Sequence, residues 1–306
     1  MKPDEPAPIV IAPSGAENDF SRLLVGAIMR RQILHQPASS TLRAAITLFI
    51  KHKSDALLVV DGGGLPVGVV TKTEVMAAYF SELPLSTGLG DIMAGPVISC
   101  APTATLHDAL LVMKERHIHR IYVIDPDSDR AVGTLSYPDF VGVLYRYCCR
   151  CEMSLYRRRR KDQTGGRRLS VAEVMHRSVI SAPAGETLEQ IIGLLASYRI
   201  GALLLVDEAG QPAGVLSKTD LILAYRREVP LGERANTVMQ RKIRCCRESE
   251  ELEEAIRLMI FAEVSRLFVT GGTDRSVVGV LTLTDGARAR SGSCWACTNS
   301  RIIPKG

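Results

Sequence analysis

No stretch of the 306-residue chain approaches the ~18 consecutive apolar residues that a membrane-spanning helix needs. The opening MKPDEPAPIVIAPSGAEND has prolines and acids where a secretory leader would have a basic start and an apolar run of ~7–15 residues. A cytoplasmic protein with no membrane contact is the expectation. Signatures of catalysis are missing as well. The six histidines (His35, His52, His107, His117, His119, His176) form no H-E-x-x-H pair, and neither a Walker A loop nor a G-x-S-x-G elbow occurs. The chain is therefore read as a non-enzyme. Its eight cysteines fall in adjacent or near-adjacent groups with a lone Cys100, unlike a secreted disulfide framework, so reduced thiols are expected.

What the chain does have is apolar mass: 46% of it is hydrophobic at a mean hydropathy of +0.09, enough for substantial cores, and its length suggests about two domains. The net charge of +5 is local. Between Arg146 and Arg168 nine Lys/Arg stand against two Asp/Glu, or +7, which leaves 29 positive and 31 negative charges elsewhere, or −2. The run Arg157 to Lys161 lacks a recognition-helix pattern or interleaved aromatics, so it reads as a solvated linker whose contact with nucleic acid would be weak and salt-sensitive.

The stretch GVLSKTD (Gly214 to Asp220) passes from an aliphatic strand into Ser-x-x-Asp, the pattern of a capping box at a helix start. It recurs as GVVTKTE (Gly68 to Glu74), GTLSYPD (Gly133 to Asp139) and GVLTLTD (Gly279 to Asp285). The glycines are spaced 65, 81 and 65 residues apart, the rhythm of a duplicated pair. Upstream, Ile28-Met29, Ile92-Met93, Val174-Met175 and Val238-Met239 each precede a leucine by thirteen residues from the methionine: Leu42, Leu106, Leu188 and Leu252.

Each leucine opens a helical pattern, such as Leu188, Ile191, Ile192, Leu194 and Leu195, behind a Thr or Glu. A buried-strand run follows (ALLVVD, RIYVID, ALLLVD, RLFVT), then a turn, a second strand and the next helix start. Each unit thus reads as strand, helix, strand, strand, helix over about sixty residues, a thin core that calls for pairing. The expected organisation is an N-terminal segment 1–21, a first pair 22–148 (repeats 22–84 and 86–148), a basic cysteine-containing linker 149–168, a second pair 169–290 (repeats 169–230 and 232–290) and a tail 291–306.

This ladder of features resembles the cystathionine β-synthase (CBS) domain family. The resemblance implies an α/β fold of four βαββα CBS repeats paired into two Bateman modules by pseudo-twofold symmetry. It further implies a regulatory protein that senses an adenosine nucleotide (AMP, ADP, ATP or S-adenosylmethionine) in clefts between paired repeats, passes the signal by conformational or oligomeric change, associates as a homodimer and acts on a separate protein partner. By that resemblance the carboxylates Asp220, Asp285, Asp139 and Glu74 hold ribose hydroxyls, while Ser217, Thr282, Ser136 and Thr71 lie near ribose or phosphate. The extra methylene of Glu74 is expected to displace its acceptor oxygen. Even-numbered repeats carry an arginine before the first inner strand where the odd ones carry alanine. As in the γ subunit of AMP-activated protein kinase, which this half-pattern resembles, Arg120 and Arg266 would bind phosphate, with His119 as an accessory donor. Ile98 and Ile180, in the short strands after the methionines, are candidates for an adenine pocket.

A different class of function is open to the thiols. Cys294-Trp-Ala-Cys297 is a C-x-x-C beyond the last repeat, and Cys148, Cys149 and Cys151 leave the second. If the two met, their thiolates could hold zinc or an iron–sulfur centre, and the same scaffold would be a metal or redox sensor.

Overall fold

The computed structural model of the protein describes residues 23–142, 169–272 and 276–289. The thirteen-residue step from methionine to leucine ends, in every repeat, on a ten-residue helix: Leu42–Lys51, Leu106–Glu115, Leu188–Ser197 and Leu252–Phe261. Three of these start behind a threonine whose hydroxyl accepts a backbone N–H: Thr41 from Ala44, Thr105 from Asp108 and Thr187 from Gln190. Glu251 makes no such cap; Glu253 and Glu254 instead put negative charge in the first turn, where the helix dipole favours it.

Each repeat builds one three-stranded sheet. The sheets are β1 (His35–Pro37), β2 (Ala56–Val60) and β3 (Pro66–Thr71); β4 (Ser99–Cys100), β5 (Arg120–Ile124) and β6 (Ala131–Ser136); β7 (Ser181–Pro183), β8 (Ala202–Val206) and β9 (Pro212–Ser217); and β10 (Cys245–Arg247), β11 (Arg266–Thr270) and β12 (Val277–Thr282). In all four the first two strands are parallel and the last two antiparallel. The hydroxyl residue of the hydroxyl-x-x-carboxylate motif ends the last strand and a helix starts right after it in every case, over Lys72–Phe80, 137–142, Lys218–Arg226 and Leu283–Ala289.

The methionine and glycine signals turn out to be two halves of one contact, and the halves are exchanged between the members of a pair. Met29 packs over Gly133 and Met93 over Gly68; Met175 packs over Gly279 and Met239 over Gly214. The residue after each methionine then bridges to the residue after each glycine, giving Arg30–Thr134, Ala94–Val69, His176–Val280 and Gln240–Val215. Chain order puts Met29 at the head of the first repeat, yet it packs on the second. Glycine is required because a Cβ at Gly214 would lie 2.7 Å from the Met239 sulfur and 2.8 Å from the Gln240 carbonyl oxygen. Gly214→Ala should therefore cost about 1–3 kcal/mol in urea unfolding, since the backbone must move. Gly193, interior to its helix with nothing within 4 Å of an added Cβ, is the opposite case, and Gly193→Ala should stabilise by up to about 1 kcal/mol. Equal effects at the two positions would refute the contact argument.

Two large cores cross between the pairs. One contains Leu42, Phe49, Leu57 and Val75 of repeat one with Leu188, Leu203, Leu216 and Leu221 of repeat three. The other joins Leu106, Ile121 and Leu135 of repeat two to Leu252, Leu267 and Leu281 of repeat four. A smaller cluster of Leu58, Val97 and Tyr122 links the sheets of repeats one and two. Between repeats one and three Tyr79 stacks on Tyr225 with centroids 4.8 Å apart, and each hydroxyl donates to a carbonyl of the opposite repeat, Val229 and Leu83.

Candidate ligand clefts between paired repeats

At the four closing motifs the cap and the candidate ligand group are the same carboxylate, divided by oxygen. One oxygen is used by the chain itself. Asp220 Oδ2 accepts from the Ser217 backbone N–H at 2.9 Å and its hydroxyl at 2.6 Å; Asp285 Oδ2 does the same for Thr282 at 2.8 and 2.6 Å, and Asp139 Oδ2 for Ser136 at 2.9 and 2.5 Å. Glu74 Oε2 accepts from the Thr71 N–H at 2.7 Å and from its hydroxyl. The expected displacement by the extra methylene is thus absent: the longer side chain folds back to the same two donors.

The other oxygen meets the exchanged segment. Gln240 Nε2 donates to Asp220 Oδ1 at 2.9 Å, Arg30 Nε to Asp139 Oδ1 at 2.5 Å, and His176 Nε2 lies 3.0 Å from Asp285 Oδ1. The corresponding residue opposite Glu74 is Ala94, which has no side-chain donor. Asp220 and Asp285 are buried, so these partners satisfy oxygens that would otherwise lack a hydrogen bond.

The arginines sit beside the same strand ends. Arg120 is the register partner of Ser136 and Arg266 of Thr282, while Ala56 and Ala202 pair with Thr71 and Ser217. The two arginines differ in charge balance. Arg120 donates from Nη2 to Asp55 Oδ1 at 2.7 Å. Burial opposes the Asp55 charge, but the Arg120 guanidinium, with Lys72 nearby, holds its pKa below the ordinary carboxylate value. Arg266 has no such partner among the described residues: its Nη1 donates to the Ala202 carbonyl at 3.0 Å, and Gly201 stands where repeat one has Asp55. Burial pushes the Arg266 guanidinium down to about 10.

Lys72 and Lys218 complete a basic centre where the helix starts of repeats one and three meet. Each donates across the boundary, Lys72 Nζ to Thr219 Oγ1 and Lys218 Nζ to Thr73 Oγ1, both at 2.8 Å. Burial lowers both lysine pKa values; Asp55 and Asp220 partly restore Lys72, whereas Lys218 is raised by Glu74 and lowered further by Arg266. Sequence reasoning singled out neither lysine, nor Asp55, nor the residues after the methionines. A usable signal was present, since only the odd repeats place lysine after the Ser/Thr of the closing motif.

The remaining candidates are less concentrated. The His119 ring stands edge-on to Tyr137 at 5.7 Å, next to Arg120. Ile98 and Ile180 are half-buried against the two large cores. Cys148, Cys149, Cys151, Cys294 and Cys297 and the basic run 157–161 lie outside the described residues. Among the described residues no group of three or more His, Cys, Asp or Glu could hold a metal ion, and Cys100, Cys245 and Cys246 are free thiols. No helix among them is long and apolar enough to cross a membrane.

The CBS-domain model matches residues 25–81, 89–146, 171–227 and 235–292. The chain belongs to the CBS-domain family. Its four CBS repeats share their arrangement with MJ1225 of Methanocaldococcus jannaschii, whose crystal structure superposes with a TM-score of 0.73 at 17% identity, covering 87% of this chain and 99% of that one. In sequence, MJ1225 is 24% identical over 199 residues, 64% of this chain and 67% of its own length. The γ-3 subunit of 5'-AMP-activated protein kinase from Bos taurus is 27% identical over 201 residues, 62% of this chain. The match spans only 38% of that bovine relative, so the CBS protein here corresponds to part of it.

Proposed function

We propose that this CBS protein is a regulatory subunit or sensor that binds adenosine nucleotides in the clefts between paired repeats, with the strongest phosphate site in the second module. The observation that carries this reading is Arg266: a half-buried guanidinium with no carboxylate partner among the described residues, beside Lys218 and the N-terminus of the Lys218–Arg226 helix. Like charges held together at a helix start favour an anion of the phosphate type. The capped carboxylate of Asp220 lies in the first turn of that helix, and its Oδ1 can accept from a ribose hydroxyl once Gln240 releases it. Kinship to a subunit of an AMP-activated kinase supports the adenine class. Ligand would act by favouring one arrangement of the repeats over another, and the signal would pass to a homodimer partner or a regulated protein.

Calorimetric titration of nucleotide-free protein with AMP, ADP, ATP and S-adenosylmethionine tests the proposal. At least one should bind, and Asp220→Asn should weaken it by about 1.5–3 kcal/mol while the fold survives, because Asn keeps an acceptor but loses the charge. If none of the four binds at millimolar concentration, nucleotide sensing is wrong and the capping box is the whole role of the motif.

A further inference from the structure

The geometry points to a built-in occupant at three of the four candidate ribose-binding carboxylates: the residue after the methionine of the exchanged segment fills the one oxygen the cap leaves over, and its identity sets how open each cleft is. The inference rests on the nucleotide reading above and deepens it. Four positions share one register, each bridging the residue after the conserved-spacing glycine of the opposite repeat, yet they carry four different residues: Arg30, Ala94, His176 and Gln240. Three of them reach the spare oxygen, at 2.5, 3.0 and 2.9 Å for Arg30, His176 and Gln240. Ala94 cannot, and among the described residues Glu74 Oε1 accepts no hydrogen bond.

A diol hydroxyl must donate to an oxygen that is free. At Glu74 no side-chain hydrogen bond to the spare oxygen has to be broken. At Asp220 a neutral amide must leave, and its own group then needs water or another acceptor. At Asp139 a cation must leave, so the diol also forfeits a charge-assisted pair, although the Arg30 side chain is 64% exposed and readily rehydrated. The order of intrinsic openness is therefore Glu74 first, Asp220 next and Asp139 last. The backbone bridges hold the exchanged segment in place on both sides of Gln240, as Gln240 and Val215 exchange N–H and carbonyl at 2.9 Å each way. Only the side chain has to swing, which makes it removable without unfolding the contact.

Gln240→Ala isolates the effect, because it deletes the amide and changes no charge. AMP affinity of the second module should tighten about fivefold, the value of one net hydrogen bond, while the backbone bridges keep the fold intact. Ala94→Gln should do the reverse at the Glu74 cleft, weakening AMP there by a similar factor. If wild type binds AMP and Gln240→Ala binds it equally or more weakly, the occupant idea is overturned and nucleotide sensing stands. If wild type fails to bind and Gln240→Ala binds, the occupant is confirmed as a block. If neither binds, both readings fall.

Discussion

Gly201→Asp should cost the second module most of its nucleotide affinity, roughly ten- to hundredfold, the ~1.5–3 kcal/mol of a charge-assisted contact. The variant copies into repeat three what repeat one already has. A Cβ at Gly201 lies 2.6 Å from Arg266 Nη2, the far end of a flexible side chain, so the guanidinium can shift and pair with the new carboxylate as Arg120 pairs with Asp55. A paired arginine offers a phosphate much less than an unpaired one. Asp55→Gly is the mirror experiment and should raise the affinity of the first module by a comparable factor. Asp55→Gly should also lower stability, because the Arg120 side chain is only 17% exposed and loses its carboxylate partner. Titration of both variants with AMP decides the matter. Unchanged affinities would show that the asymmetry between Asp55 and Gly201 has no part in binding.

The periodic part of the fold is legible in the sequence because local physics writes it there. Thr187 before Leu188, the 3.6-residue rhythm of Leu188, Ile191, Ile192 and Leu195, and the aliphatic run Ala202 to Val206 each specify an element with little help from elsewhere. The closing motif is legible as a cap for the same reason: Ser217 and Asp220 satisfy one another within one turn. What was hidden is long-range. The exchange of Met239 onto Gly214 rather than onto its own repeat leaves the spacing of both signals untouched, so the pattern is blind to it. The charge balance of Arg266 depends on Gly201, 65 positions earlier, and the spare oxygen of Asp139 on Arg30, 109 positions away. Such partners are set by how the sheets and exchanged segments meet, and no local rule ranks Gln240 above any other exposed-looking glutamine.

Phe49→Ala should cost about 3–5 kcal/mol and should be felt in both modules. Phe49 is 1% exposed and faces a core shared by repeats one and three, where its helix packs on Lys218–Arg226. Deleting the ring opens a cavity walled by both modules, and a close-packed interior relaxes only in part. Were each pair of repeats an independent folding unit, the loss would stay in the first. A shared core instead makes the opening of repeat one expose apolar surface of repeat three, including Leu188, Leu221 and Tyr225. Native-state hydrogen exchange resolves the two cases, because it reports the opening free energy strand by strand. Protection should fall together in β2 and in β8, by a hundredfold or more, as ~3 kcal/mol at about 1.4 kcal/mol per tenfold requires. A loss confined to β1, β2 and β3, with β8 unchanged, would show that the pairs fold separately and that the contact between Tyr79 and Tyr225 joins finished modules without making them one cooperative unit.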